Sequence, residues 1–553
     1  MKTLLIVALL AASAFAQYNS LSRRYVPVTQ RMSSPPLYEL SVSEWTAFCY
    51  DRSVDEWRAI PFQFDQFNKK GQYDRDKDGI ADATDEIIFM PKDAGDKAET
   101  WAWIDDESSQ KYQRIELQLV DPLSPEDTAW VYLFRNVSSV TNVTSYLDYS
   151  PGPMGIPAAD TIKSDAFILG HDKNGWIDYL DLPGSQGDII DRFKLRLAGG
   201  PGVLISRYYE INEDFVEGET DADAVSYFPG PVRSFHIVKG AILIEKLNFP
   251  LLPPKSDFES NYEYTPYSFH IAAETDIDKG MLLLFGVKLI RQSLDFNENA
   301  SGMKVYSSIN RDGLLIDGEP DVFDNHLDPA SSLNWVMAAG EQGAIIFIVN
   351  ITPMPNSRRL LYYYDDQTCD SPPDSTSDTG DGRSFGDMGL MIQATQSALL
   401  PDKLEIDFKS YFIDQPNLDI NFGEKLIAWE QHPLEMQATE QGYQPLAVAE
   451  QNLPGPANFY LAPAYPNPFT PTGNDNIHFE LYGQKNDIYE LIVYNVLGQR
   501  TVQISDIHTD AQGRGSVVWD GRDVNGEPLT PGLYFYRLTG TDIKQTYKMI
   551  ITR

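Results

Sequence analysis

Short strand-forming runs, cut off by turn residues, constrain this chain more than any other feature. Between residues 20 and 435 the apolar side chains gather in brief blocks, punctuated by Gly, Pro, Asn and Asp. Ile115-Glu116-Leu117-Gln118-Leu119 alternates with the period of two that lays one face of a strand on a core. Trp130–Phe134, Ala241–Ile244, Met281–Ile290, Ala344–Val349 and Leu360–Tyr364 are rich in β-branched, aromatic or aliphatic residues. No long segment keeps the 3.6-residue apolar period of an amphipathic helix. Strands at this spacing, with no helices between them, predict antiparallel sandwiches rather than a parallel α/β sheet. The expected fold is all-β. A large antiparallel β-sandwich spans residues 17–435, as one oversized unit or as two that divide near 250–262, where Pro250, Pro253 and Pro254 cluster.

Size and charge narrow the function classes. With 553 residues, 42% of them hydrophobic and 12% aromatic, the chain has material for two or three packed domains, and global disorder is excluded. A formal charge of −36 repels phosphate backbones and anionic lipid headgroups, which argues against nucleic acid and peripheral membrane partners. The same charge suits divalent cations. At the start, Lys2 precedes the apolar run Leu4–Leu10 and then Ala14-Phe15-Ala16, the pattern of a secretory signal over residues 1–16 cleaved after Ala16. No later stretch approaches the roughly 20 apolar residues of a membrane-spanning helix, so no transmembrane anchor is expected. The chain is predicted to be secreted or held on the outer cell surface. Its two cysteines, Cys49 and Cys369, fit either a bridge or two buried thiols.

Two segments read as connections. Residues 365–387 are dense in Asp, Ser, Gly and Pro without apolar periodicity, the composition of a long loop. Residues 436–457 are polar and run into Pro454-Gly455-Pro456, which marks a linker before a second domain. That domain, 458–553, is predicted to be an Ig-like sandwich of about seven strands. Ile477–Leu481 alternates. Tyr489–Tyr494, Gly515–Trp519, Leu533–Leu538 and Tyr547–Ile551 are further strands, with Asn525-Gly526 and Pro531-Gly532 as tight turns.

Here the residues resemble a known family. Tyr465-Pro466-Asn467-Pro468-Phe469, Val493-Tyr494-Asn495-Val496-Leu497-Gly498-Gln499, Trp519-Asp520-Gly521-Arg522-Asp523 and Gly532-Leu533-Tyr534-Phe535-Tyr536-Arg537-Leu538 follow in order, ahead of Lys548–Arg553. Together they resemble the type A C-terminal sorting domain of type IX secretion cargo. The second half is also similar to the Ig-like domain of flagellar hook-capping proteins. The opening block and its terminal place favour sorting. The resemblance covers about a sixth of the chain. It implies recognition of residues 458–553 by an outer-membrane secretion translocon, removal of the domain in many members, and release or surface attachment of the passenger.

The clearest chemical motif is acidic. Asp74, Asp76 and Asp78 occupy positions 1, 3 and 5 of a loop, Gly79 at position 6 permits a sharp turn, the Ile80 carbonyl stands at 7, Asp82 at 9 and Asp85 at 12. A hard cation wants six to eight oxygens converging at short range, and this spacing supplies them, so structural Ca²⁺ is expected on Asp74, Asp76, Asp78, Ile80, Asp82 and Asp85. Asp in the last place, where an EF-hand has Glu, resembles the loops of dockerins and thrombospondin type 3 repeats. Glu86 is adjacent and is an alternative ligand. Phe62, Phe64 and Phe67 ahead of the loop look strand-like, which predicts an isolated pinned loop and not a helix–loop–helix pair. Asp172-Lys173-Asn174-Gly175-Trp176-Ile177-Asp178, with Asp181 beyond it, reads as a tight turn, with a second ion site the alternative. The acidic 365–387 loop is another place where oxygens could gather.

Catalysis leaves no comparable mark. The chain has no GxSxG elbow, HExxH pair or phosphate-binding glycine loop, and eighty acidic residues prevent any carboxylate pair from standing out. Catalytic residues are therefore unassigned. His171, His236, His270 and His326 sit in no nucleophile or metal motif, and His236, in Ser-Phe-His-Ile-Val, reads as a satisfied core residue. Trp101, Trp103, Trp176, Tyr208, Tyr209, Tyr262, Tyr264, Tyr267 and Tyr362–Tyr364 suit either sugar rings or a core. Ile60–Gln63 and Asp78–Met90 resemble segments of uncharacterised secreted β-sandwich proteins, and some supersandwich proteins of that look act on plant polysaccharides. The expected role is a surface protein that binds carbohydrate or another extracellular polymer. The alternatives are a secreted polysaccharide lyase or glycoside hydrolase, and a surface-layer or filament subunit.

Overall fold

The structure of the chain is a computed structural model. It describes residues 19–552 except 69–71, 75–76, 139–142, 153–157, 202–208, 219–224, 248–253, 277–284, 329–332, 352–355, 369–371, 373–375, 377–378, 400–402, 445–459, 463, 471–475, 483–486, 512, 524–525 and 541–542. The expected signal segment, Asp76, Tyr208 and Cys369 lie outside the described residues. Strand takes up 52% of the chain and helix 7%, in several antiparallel sheets, so the protein is all-β. Two compact units divide it, Met1–Gln444 and Pro445–Arg553.

The first unit opens with a five-stranded sheet built from Trp45–Asp51, Glu56–Ala59, Arg114–Asp121, Ser124–Arg135 and, at its edge, the late strand Glu435–Gln441. Its inner side chains Ala47, Ile115, Leu117, Leu119, Val131 and Leu133 share a core with the three-stranded sheet of Val28–Arg31, Phe62–Asp65 and Glu86–Phe89. The opposite face is also covered. Phe48, Tyr50, Trp130, Tyr132 and Phe134 form a second apolar layer there. Glu116, one of the two polar members of the alternation, is buried among them and accepts a hydrogen bond from the Tyr132 hydroxyl at 3.1 Å. Alternation marks which residues share a face; it does not say that the other face is wet.

The rest of the unit is a sandwich. A ten-stranded sheet, whose middle strands are Ser234–Ile242, Ser256–Thr265, Ser268–Asp276, Lys403–Ile413 and Gly343–Ile351, packs against two smaller sheets. One is four-stranded (Asp148–Ser150, Asp160–Lys163, Ile168–His171, Ile177–Asp181). The other is five-stranded, with Ile190–Pro201, Phe285–Phe296 and Ser384–Leu399 at its centre. Leu169 and Leu180 from the first, Phe193 and Leu294 from the second, and Phe269, Phe347 and Phe408 from the large sheet belong to one apolar cluster.

Three expectations change. The alternative of two sandwiches divided near 250–262 finds no support among the described residues, because Ser256–Thr265 is hydrogen-bonded on both sides inside the ten-stranded sheet. The linker does not begin at 436. Glu435–Gln441 pairs with Arg114–Asp121, and its alternation turns Met436 and Ala438 onto the core. A helix, Ile420–Gln431, also stands where none was expected. The Asp419 carboxylate caps it by accepting from Asn421 N–H, and Leu426, Ile427 and Trp429 are its buried side chains. Gly423 faces the Trp335 ring so closely that a Cβ would lie 2.6 Å from it.

The second unit is a sandwich of seven described strands. Tyr460–Leu461, Ile477–Tyr482 and Arg514–Trp519 face Arg500–His508, Ile488–Asn495, Gly532–Gly540 and Ile543–Ile551 across a core of Phe479, Leu491, Val493, Tyr536, Leu538 and Met549. The motif residues hold this fold together. Buried Tyr536 accepts from Ala464 N–H at 2.7 Å, the Asn467 side chain accepts from Ile550 N–H at 2.8 Å, and Phe469 lies in the core beside the last strand. Asn495 accepts from Leu497 and Gln499 N–H to close the turn in which Gly498 has φ +75°.

Candidate functional site

The acidic loop is stitched to its surroundings by one residue that motif reading passed over. The Gln66 side chain donates to the Asp78 carboxylate at 2.9 Å and to the Ile80 carbonyl at 3.1 Å, and accepts from Gly79 N–H at 3.1 Å. Gly79 takes φ +78°, the left-handed conformation its position demands. Asp85 faces inward, where its two oxygens accept from Phe67 N–H and Asp82 N–H, both at 2.9 Å, and burial raises its pKa. Asp78 and Asp82 are exposed and Asp74 is half-buried. The carboxylates of Asp74, Asp78, Asp82 and Asp85 do not bring three oxygens within 4.8 Å of one another. Asp76 lies outside the described residues, so the expected ligand set is not assembled from the described side chains alone. The loop is anchored by backbone pairing as well: Val42 N–H donates to Gly79 and Ala81 N–H to Leu40.

Beside this loop a polar cleft of about 340 Å³ opens over the large sheet. Asn68, Gln72, Tyr73 and Asp74 form one wall, and Ile237, Lys239, Glu259 and Asn261 the floor. The floor follows from strand register. Ile237 pairs with Asn261 and Lys239 with Glu259, so all four point to one face. Lys239 and Glu259 lie 3.7 Å apart. The wall is braced by Tyr73, whose ring stacks on Phe235 at 4.3 Å, and by the Phe67–Tyr73 bridge. Amides, carboxylates and an ammonium thus converge next to the acidic loop. None of the floor residues is adjacent in sequence to the wall, and only the pairing of distant strands reveals them.

The Ile60–Gln63 and Asp78–Met90 segments meet at Arg233. The Gln63 amide accepts from Val232 and Arg233 N–H and donates to the Arg233 carbonyl. The buried Arg233 guanidinium pairs with Asp65 at 2.6 Å, Glu86 at 2.8 Å and Glu263 at 3.3 Å. This clamp joins the three-stranded sheet to the ten-stranded one. Burial raises the Asp65 pKa even so, with Arg233 opposing it.

The weaker acidic segment is a turn. Asp172 accepts from Asn174 and Trp176 N–H at 2.8 Å each, and Gly175 has φ +79°. Burial pushes Asp178 up to about 6. Among the aromatic candidates Tyr262, Tyr264, Tyr267, Tyr362 and Tyr363 are buried, and Trp176 donates to the Phe193 carbonyl at 2.6 Å. They build core instead of a sugar platform; among the described candidates Trp101 is the exposed one. Cys49 is a free, buried thiol whose pKa burial raises.

The histidines separate into two kinds. His326 is exposed beside Asp324, and His270 lies between Asp407 at 2.8 Å and Glu263 at 3.8 Å. Burial disfavours the His270 cation, but hydrogen bonds to Asp407 and Glu263 outweigh it and raise the pKa to about 9. His171 and His236 are fully buried and come together with Asp160. Burial, followed by the neighbouring His171, pulls His236 down to about 3. Contrary to the expectation of a satisfied core residue, neither nitrogen of His236 has a hydrogen-bond partner among the described residues.

No protein-family model matches the chain, and no curated protein does. Solved structures similar to it include dimeric latent PorU from Porphyromonas gingivalis, 12% identical over 78% of this chain and 36% of that one, with a TM-score of 0.15. Another is PorZ, an essential bacterial surface component of the type-IX secretion system of Porphyromonas gingivalis, at 10% identity over 72% of this chain and 50% of that one, TM-score 0.13. A third is E. coli alpha-2-macroglobulin, at 9% identity and TM-score 0.15. The chain spans half or less of the length of each, 36%, 50% and 35%. At these TM-scores the superpositions carry no argument about function. Among the described residues no helix is long and apolar enough to cross a membrane.

Proposed function

We propose that the chain is an exported surface protein whose first unit binds a carbohydrate or another polar extracellular polymer in the cleft over the large sheet. Its second unit serves as the address read by an outer-membrane secretion translocon, as the ordered motif blocks of residues 465–553 suggest. The observation that carries the binding reading is the cleft itself. Its volume of about 340 Å³ suits one or two sugar rings, and its lining mixes hydrogen-bond donors and acceptors (Asn68, Gln72, Asp74, Lys239, Glu259, Asn261). Ca²⁺ on the Asp74–Asp85 loop would fix the wall, since Asp74 belongs to both.

The test is binding of the purified chain to a panel of acidic and neutral polysaccharides, with Ca²⁺ and with chelator. Retention on at least one polymer is expected. It should weaken about tenfold or more in Asn261→Ala, the size of a lost hydrogen bond to a bound ligand. Chelator should weaken it and lower the melting temperature. Equal retention by wild type and Asn261→Ala would place the ligand elsewhere, and an unchanged melt in chelator would remove Ca²⁺ from the loop. Depolymerisation in the same assay would turn the reading towards a lyase or hydrolase.

A further inference from the structure

Asp160, His171 and His236 gather in the core of the first unit, with His236 on the face of its strand opposite to the cleft residue Ile237. Asp160 opens one strand of the four-stranded sheet, His171 ends the next, and His236 lies on the facing ten-stranded sheet. Among the described residues no other three His, Cys, Asp or Glu side chains bring ligand atoms within 4.8 Å of one another. His171 Nδ1 stands 2.6 Å from Asp160 Oδ1, and His236 Nε2 stands 4.0 Å from Asp160 Oδ2.

We propose that these three side chains form a binding site for a late first-row divalent cation, Zn²⁺ above all, that ties the two sheets together. The donor set is two imidazoles and a carboxylate, which suits Zn²⁺ and not Ca²⁺, whose sites are all oxygen. Tetrahedral Zn²⁺ with bonds of about 2.0–2.1 Å sets its ligands roughly 3.3 Å apart. The separations here, 2.6 Å to one Asp160 oxygen and 4.0 Å to the other, lie on either side of that figure, so one widens and one closes by about 0.7 Å. His236 is the decisive member. An imidazole with no solvent access and no hydrogen-bond partner on either nitrogen is costly in a core unless a cation takes a lone pair.

The surroundings orient the other ligands. The Tyr264 hydroxyl lies 2.7 Å from His171 Nε2, leaving Nδ1 to face Asp160 and the cation. Such outer contacts are what fix a ligating ring. The Tyr149 hydroxyl donates to Asp160 Oδ2 at 3.3 Å.

The test uses the purified full chain with excess Ca²⁺ present to occupy the acidic loop. After equilibration with Co²⁺ or Zn²⁺ and desalting, one equivalent of metal per chain should remain. The Co²⁺ form should show the intense visible bands of four-coordinate nitrogen and oxygen ligation, and Zn²⁺ should raise the melting temperature. His236→Phe fills the same space without a donor and should lose both the equivalent and the bands. The proposal is overturned if the wild type retains no metal, if its Co²⁺ form shows only the weak bands of six-coordinate oxygen ligation, or if folded His236→Phe keeps the intense bands. Should the variant not fold, the wild-type stoichiometry and spectrum decide the matter alone.

Discussion

Arg233 shows how one buried charge organises two sheets. It faces Asp65, Glu86 and Glu263, and Asp65 has almost no access to water. A buried pair adds little beyond an apolar substitute, but losing one partner strands the other. Arg233→Ala should therefore cost about 3–5 kcal/mol in urea unfolding. Adding Asp65→Asn should recover part of that loss, because it removes the stranded carboxylate. A loss under 1 kcal/mol, or no recovery, would mean that water reaches the clamp. Little of this was legible beforehand. The segments Ile60–Gln63 and Asp78–Met90 stood out as a pattern, but their shared partner lies at residue 233, and sequence order says nothing about a meeting across 168 positions. The acidic loop was legible because its ligands are local, and Gln66 was missed because an amide ahead of the motif carries no spacing signal.

Among the elements, the outer face of the large sheet carries a charge ladder in which His270 pairs in register with Glu263 on one side and Lys409 on the other. With a folded pKa of about 9 against an ordinary 6.5, the His270 cation contributes stability in full below pH 6.5 and loses it as pH rises through 9. Wild type should lose melting temperature from pH 6.5 to 9 more steeply than His270→Gln; parallel curves would exclude this contribution. Strands were the legible elements, since Ile115–Leu119, Ala344–Val349 and Ile477–Leu481 all lie in ladders. The helix Ile420–Gln431 was passed over although Phe422, Leu426 and Trp429 repeat at i, i+4 and i+7 behind an Asp cap. Glu435–Gln441 escaped because an edge strand needs only one apolar side, and a polar composition hides it. The filament alternative gains no support from the large sheet. Its edge strands among the described residues are Val216–Gly218 and Val225–Phe228 at one end, both paired to Ser234–Ile242, and Leu314–Leu315 at the other; at three, four and two residues each is a short template for another chain.

At the scale of the molecule, the two compact units are separable by contact pattern. Removing residues 445–553 should leave a first unit that still melts cooperatively. In a bacterium that has a type IX secretion system, that truncated chain should accumulate in the periplasm, while a reporter fused to 445–553 should reach the medium or the surface. Fractionation and immunoblotting decide it, and normal delivery of the truncated chain would end the address reading.

The late strand Glu435–Gln441 has a bearing on biogenesis. Arg114 and Gln441 are joined in one ladder although 327 positions separate them, and Arg23 near the start holds carbonyls of Trp429 and His432. A polypeptide threading head-first through a narrow channel would expose its opening strands long before their closing neighbour emerged. Were the first unit exported in that way, its front would stay unsealed until nearly all of it had crossed, leaving the chain pliable in transit and postponing its locking to the far side.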